Sequence, residues 1–167
     1  MSCPFPHHLL SPEPESLNDS FHSFLHMTRF ARLCSKICSR LYSAAALSMS
    51  PADLIPVRDA LENELFTWRD SLPNLFHPLK PFRASEIIPH IHLHQVLFLR
   101  FSFFDALCAI HRRFAAPYLS DESNGYWKDA AMAEPWRKLS VERSISSARE
   151  MALLARAIEV EASTPSW

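Results

Sequence analysis

Between Ile88 and Phe114 the chain reads IPHIHLHQVLFLRFSFFDALCAIHRRF, and this run limits the possible folds more than any other stretch. From Val96 to Ile110 it is apolar on nearly every side, broken only by Arg100, Ser102 and Asp105. A helix apolar all round has to be covered, by protein or by lipid. A membrane span needs about 20 apolar residues with few charges. This run is shorter and carries Arg100 and Asp105, so it reads as a central core helix from about 89 to 115, and no membrane is expected. Pro89 suits a first-turn position, where its missing N–H costs nothing. Roughly 25 residues at about 1.5 Å each make a rod of about 38 Å, enough to cross a small domain. Phe98, Phe101, Phe103, Phe104 and Phe114 lie on it, and each buried Phe contributes about 1.5–3 kcal/mol of transfer free energy.

Whatever covers that rod is expected to be helical as well. The 167 residues include one glycine and thirteen prolines. Tight hairpins need glycine at positive φ, so a β-rich fold is disfavoured, and the prolines fall between apolar stretches as helix punctuation. The composition is all-α, and the length suits one domain. Formal net charge is −1. No overall basic field gathers phosphates, so direct nucleic-acid binding by this chain is not expected. Four cysteines are too few and too scattered for a disulfide scaffold. Cys34, Cys38 and Cys108 sit in apolar helical patterns, where free cysteine fills space as a small hydrophobe. That usage suits the cytosol or nucleus, and the N-terminus has no signal-peptide pattern.

Residues 1–17 are rich in Pro, Ser and His without periodicity and read as a disordered lead-in. From about Asp19 to Ala46, Phe24, Met27, Phe30, Cys34, Ile37, Cys38, Leu41 and Ala45 repeat at three and four, which predicts one apolar helix face. Arg29, Arg32, Lys36 and Arg40 fall opposite, as a solvated side. Residues 48–55 read as a connection. Pro56 can open a second helix with Val57, Leu61, Leu65 and Trp68 inward and Arg58, Glu62, Glu64 and Arg69 toward solvent. It ends at Leu72-Pro73, because the residue before proline is pushed out of the α region. Residues 74–87 are expected to be irregular. After Pro117 comes a loop with Asn-Gly at 124–125. Pro135 can open a last helix to about Val160, with Leu139, Ile145, Ala148, Met151, Ala152, Ala155 and Ile158 inward. The tail 163–167 frays.

Catalytic chemistry finds no motif. His90 and His94, like His22 and His26, stand at i and i+4 and could share a zinc ion. Neither pair has the neighbouring third ligand or general base of a HExxH-type site, so a histidine-based metal-dependent enzyme is the weakest of three readings. There is no GxSxG elbow and no glycine-rich phosphate cradle. Arg100 and Asp105 are five apart and do not face each other squarely on one helix. Each needs a partner elsewhere or an exit to solvent, and they are candidate pocket charges, although pairing with other helices is the simpler role.

In order, FARLCSKICSRLYS, IPVRDALENELFTWRDSLPNLF, FDALCAIHRRF and SISSAREMALLAR resemble the middle homology region of fungal zinc-cluster transcription factors, a fungal-specific regulatory domain. The resemblance covers about Arg29 to Val160. It implies a regulatory role in transcription inside the nucleus (the cytoplasm is the alternative). The partners it implies are the transcription machinery or a same-family protein, a small-molecule inducer, and homo- or hetero-oligomers. It implies no cofactor. Trp68, Leu72, Pro73, His111 and Arg112 match the family motifs and take structural roles at helix ends. Arg113 stands where the family has proline, and the family's six-cysteine DNA-binding cluster is absent. The chain therefore reads as a helical regulatory domain over 18–162, from a fragment, a truncated gene model or a free-standing paralogue. A helical interaction module unrelated to transcription is the other reading.

Overall fold

The computed structural model describes residues 14–81, 93–115 and 130–156, and every regular element among them is helical. These are α1 (Pro14–Leu41), α2 (Ala44–Leu47), α3 (Pro51–Asp70), α4 (Leu93–Ala115) and α5 (Ala130–Ala155). The fold is all-α, with α4 as the buried helix against which α1, α3 and α5 pack.

Local chemistry sets the boundaries. Helix α1 begins at Pro14, earlier than the expected Asp19, and ends at Leu41, with α2 as a separate turn. Helix α3 begins at Pro51, where a connection was expected. The Ser50 hydroxyl accepts from the Asp53 N–H at 3.2 Å and donates to the Asp53 carboxylate at 2.6 Å. That is a strong N-cap, and Pro51 follows it at a first-turn position. Pro56 sits inside the helix instead of opening it. At the far end the Ser71 N–H reaches Thr67 O at 3.2 Å and Trp68 O at 3.1 Å, and Pro73 stops propagation as expected.

Cross-helix bonds fix the directions. Trp68 Nε1 donates to His26 O at 3.0 Å, so the end of α3 meets the first half of α1. Arg113 donates to Leu41 O at 2.5 Å and to Ala46 O at 2.8 Å, so α1 and α4 finish together. The two carbonyls lie at the ends of α1 and α2, where helical acceptors run out of intrahelical partners, and one guanidinium reaches both. Arg113 thus seals a helix junction, and α4 runs past it to Ala115. The core comprises Leu33, Ile37 and Leu41 of α1, Leu54, Leu61, Leu65 and Trp68 of α3, and Val96, Leu99, Phe103, Leu107, Ile110 and Phe114 of α4.

Three expected faces are rotated. In α1 the buried line is Ser23, His26, Leu33, Ile37 and Leu41, while Phe24 is 67 % exposed and Cys38 faces outward. Cys34 and Cys108 are half-buried, so the cysteines are not core filler as a set. In α3, Arg58 and Glu62 are interior and not solvent-side, because they share the stripe of Leu54, Leu61 and Leu65. In α5, Ile145 is 48 % exposed and Ala148, Ala152 and Ala155 are outward. The face against α4 is built on Ser140, Ser144, Ser147, Met151 and Leu154 instead.

Serines can line that face because small side chains let two helix backbones approach closely. Ser144 Oγ returns its proton to Ser140 O at 2.8 Å, so its hydroxyl is satisfied within the helix. Ser147 is 1 % exposed. Replacing it by Leu forces bulk into a closed seam and is expected to cost about 1–3 kcal/mol. Ser146→Leu, one residue along and exposed, should stay within about 0.5 kcal/mol of the parent. Urea unfolding of both variants checks the rotation of α5.

Candidate functional site

Four of the buried polar residues, Arg58, Glu62, His111 and Ser140, gather at one place, where the first half of α3, the end of α4 and the first half of α5 meet. Arg58 of α3 is 0 % exposed. Its Nε and Nη2 donate to Asp59 Oδ1 at 2.9 and 2.7 Å, and Nη1 donates to Ser140 Oγ at 3.3 Å. The guanidinium lies 5.3 Å from the Phe114 ring centre and 5.1 Å from that of Trp136. Such a cation between aromatic faces is stabilised by the ring quadrupoles.

His111 of α4 is fully buried beside it. Its Nδ1 is 3.2 Å from Ser140 Oγ, and its Nε2 is 3.4 Å from Glu62 Oε1. Arg143 Nε stands 3.0 Å from the same carboxylate oxygen. Neither N–H points squarely at Oε1, so these are close polar contacts more than aligned hydrogen bonds. Together they hold the Glu62 carboxyl below its ordinary value of 4.5, with His111 the largest cause and Arg143 and Arg58 lesser ones, against the opposing effect of burial.

Ser140, His111 and Glu62 have the composition of an acyl-transfer triad, but the geometry gives them another role. Ser140 is 0 % exposed, so no substrate atom reaches its Oγ, and that oxygen is already occupied by the Arg58 donor. A nucleophilic serine needs an approach path and donors aimed at a developing oxyanion. What this cluster does is tie α3, α4 and α5 together, through the Ser140 hydroxyl shared by Arg58 and His111 and the Glu62 carboxylate shared by His111 and Arg143.

Most of the cluster was hidden from sequence reasoning. His111 was singled out as a helix-end residue and is in fact a central member. Arg58 and Glu62 were assigned to solvent, though their i, i+4 spacing in line with Leu65 was a usable signal. Ser140 and Ser147 could have been found from the small-residue spacing 140, 144, 147.

The other sequence candidates are dispersed. Arg100 is buried and spans from α4 to the segment after α3, donating to Leu75 O at 3.0 Å and Lys80 O at 2.9 Å. Asp105 lies on another face of α4 and is exposed, so the two do not line one pocket. Trp68 and Leu72 are buried and Pro73 is exposed. Arg112 is exposed, with its guanidinium 5.6 Å from the Tyr42 ring centre. His90 and His92 lie outside the described residues, as does the His22 side chain. His26 is buried and His94 exposed. Among the described residues no three His, Cys, Asp or Glu side chains are grouped to hold a metal ion. An open groove of about 440 Å³ lies between α1 and α3, over Trp68, with Arg29, Asn63, Glu64, Thr67 and Ser71 around it.

No protein-family profile matches the chain, and no solved structure matches it. Two curated proteins do. Over 107 aligned residues the chain is 36 % identical to an ABC-transporter-regulating transcription factor of Aspergillus fumigatus, and equally so to one of Aspergillus oryzae. The match covers 64 % of this chain but 11 % of each relative, so the chain spans only a small part of their length. These similarities support a relationship between the chain and fungal transcription factors.

Proposed function

We propose that the chain is a helical regulatory domain of a fungal transcriptional regulator, over about residues 18–162, and that it works in the nucleus by contacting proteins or a small inducer. The observation that carries this reading is the 36 % identity to two transcription factors over 107 residues, 64 % of the chain. The near-neutral charge supports a role apart from DNA reading, since phosphate recognition draws on a basic surface. The polar interior supports it too: Arg58, Glu62, His111 and Ser140 cross-brace helices. In this reading Trp68, Leu72, Pro73, His111 and Arg112 keep helix ends in register and perform no reaction. The groove over Trp68 supports the inducer part, because it sets an aromatic wall beside the charges of Arg29 and Glu64.

A reporter experiment tests the proposal. The full chain is placed between a heterologous DNA-binding domain and an activation domain, and transcription from the cognate promoter is measured in a fungal host. Reporter output should fall severalfold relative to the fusion without the chain. The strongly destabilised variant Phe103→Ala should move it back toward that of the fusion without the chain. Output that ignores the chain in every host condition would sink the proposal.

A further inference from the structure

Among the described residues, helix α4 is covered on three sides and its fourth side is open. Phe98, Phe101, Asp105, Cys108 and Arg112 stand three and four apart along that side, half-buried or exposed. Helix α1 flanks it on one edge: the Tyr42 hydroxyl donates to Ala109 O, and Arg112 lies over the Tyr42 ring. Burial raises the Cys34 thiol's pKa, and the Cys38 and Asp105 charges raise it further, which sets Asp105 beside the middle of α1. Helix α5 flanks the other edge, with Cys108 Sγ 3.5 Å from Ser144 O.

Both flanks turn an apolar line toward this opening. On α1 it is Phe24, Met27, Ala31, Cys34 and Cys38, all half-buried or exposed. On α5 it is Val141, Ile145, Ala148, Ala152 and Ala155, one step round the helix from Ser144. That line is on the side away from α3, which α5 meets through Arg143 and Glu62. These are the faces that periodicity marks for burial, and the described residues leave them uncovered. Three strips at heptad-like spacing around one channel present what a further helix packs into. From Phe98 to Arg112 the channel runs about 21 Å, or four turns. The alanines of α5 suit the close approach of a second helix, at about 8–10 Å between axes.

Charge identifies the occupant. Beyond the alanine line α5 exposes Lys138, Arg149 and Arg156 against Glu142, and the floor adds Arg112 against Asp105. This rim is basic in a chain whose formal net charge is −1. We infer that the α1–α4–α5 channel is a docking site for an amphipathic helix of a partner protein, with an apolar stripe seated on Phe98, Phe101 and Ala148 and acidic residues along its flank. The inference stands apart from the regulatory reading: the channel keeps its selectivity in a chain that leaves the reporter unchanged, and the reporter can respond through another surface.

The test uses the purified full chain and two synthetic, dye-labelled peptides of about 18 residues, about one turn longer than the channel. Both carry Leu at alternating third and fourth positions; one has Glu on its flanks, the other Lys. Fluorescence anisotropy should show the Glu peptide binding at least about tenfold tighter than its Lys twin, a difference of about 1.4 kcal/mol. Ala152→Glu, at an exposed position, should weaken the Glu peptide at least about tenfold. Arg149→Glu should erase the preference between the twins without touching the fold, while Ala52→Glu on α3 should change nothing. Equal affinity for the twins, no binding, or indifference to Ala152→Glu and Arg149→Glu would overturn the inference. A dimer split by Ala152→Glu would overturn it in favour of a second copy. Tighter Ala152→Glu-sensitive binding to phosphatidylglycerol vesicles than to either peptide would overturn it in favour of a lipid surface.

Discussion

Replacing Phe103 by Ala is expected to lower the free energy of unfolding by about 3–5 kcal/mol. Native domains hold about 5–15 kcal/mol in total, so this one truncation removes a large part of the margin. The side chain is 2 % exposed and lies where α3 and α4 meet. Its ring is 5.1 Å from Phe104 in an edge-on arrangement and 6.2 Å from Phe66, and the Arg69 guanidinium stands 5.7 Å from its centre. Truncation therefore loses transfer free energy and ring contacts, and it leaves a void that backbone on both sides resists closing. Phe98→Ala is the matched control. That ring is 49 % exposed, and its loss should shift stability by no more than about 0.5 kcal/mol. Urea titrations of both variants, followed by far-UV circular dichroism, measure the contrast. Similar losses at the two positions would mean that α4 is rotated from the orientation described.

Glu62→Gln is expected to cost about 1–3 kcal/mol at neutral pH, the range for leaving a buried polar partner without its acceptor. Arg143 is 44 % exposed and can return its charge to water, whereas His111 is enclosed and has no such exit. The effect carries a pH signature. The folded protein holds the Glu62 carboxyl below its ordinary 4.5, chiefly through His111, with Arg143 and Arg58 assisting. A carboxyl depressed by folding contributes stability that is fully present above its unfolded value and is lost as pH falls through the lower folded one. The gap between parent and Glu62→Gln should therefore be constant from neutral pH to about 5 and close below the ordinary 4.5. Unfolding free energies at a series of pH values read this directly. A gap that widens on acidification would place the stabilising charge elsewhere.

The sequence made the helical class and the central helix legible, and both rest on strong local signals. A single glycine removes the hairpin alternative, and an apolar run of that length has to be interior. The Leu72-Pro73 stop was legible for the same kind of reason, a steric clash independent of the rest of the fold. Helix faces were less legible, and the reason is physical. Periodicity weighs apolar against polar, but α5 seats itself on serines whose value is their smallness, and α3 buries Arg58 and Glu62 where they meet polar partners from distant helices, Ser140 for Arg58 and His111 and Arg143 for Glu62. Such pairs cannot be seen until three helices are brought together. The start of α3 is illegible from proline alone, because Pro56 looks like a helix opener while Ser50 and Asp53 form the cap upstream.

Arg113 also governs when the fold can close. Its bonds to Leu41 and Ala46 span 72 and 67 positions of the chain. During translation at about 5–20 residues per second, α1 waits roughly 4–14 s for the residue that seals its end. Helix α4 is the surface to which α1 and α3 both attach, so throughout that interval Leu33, Ile37, Leu61 and Leu65 leave the ribosome with no floor to rest on. The nascent first half is thus an open, greasy hairpin until α4 arrives.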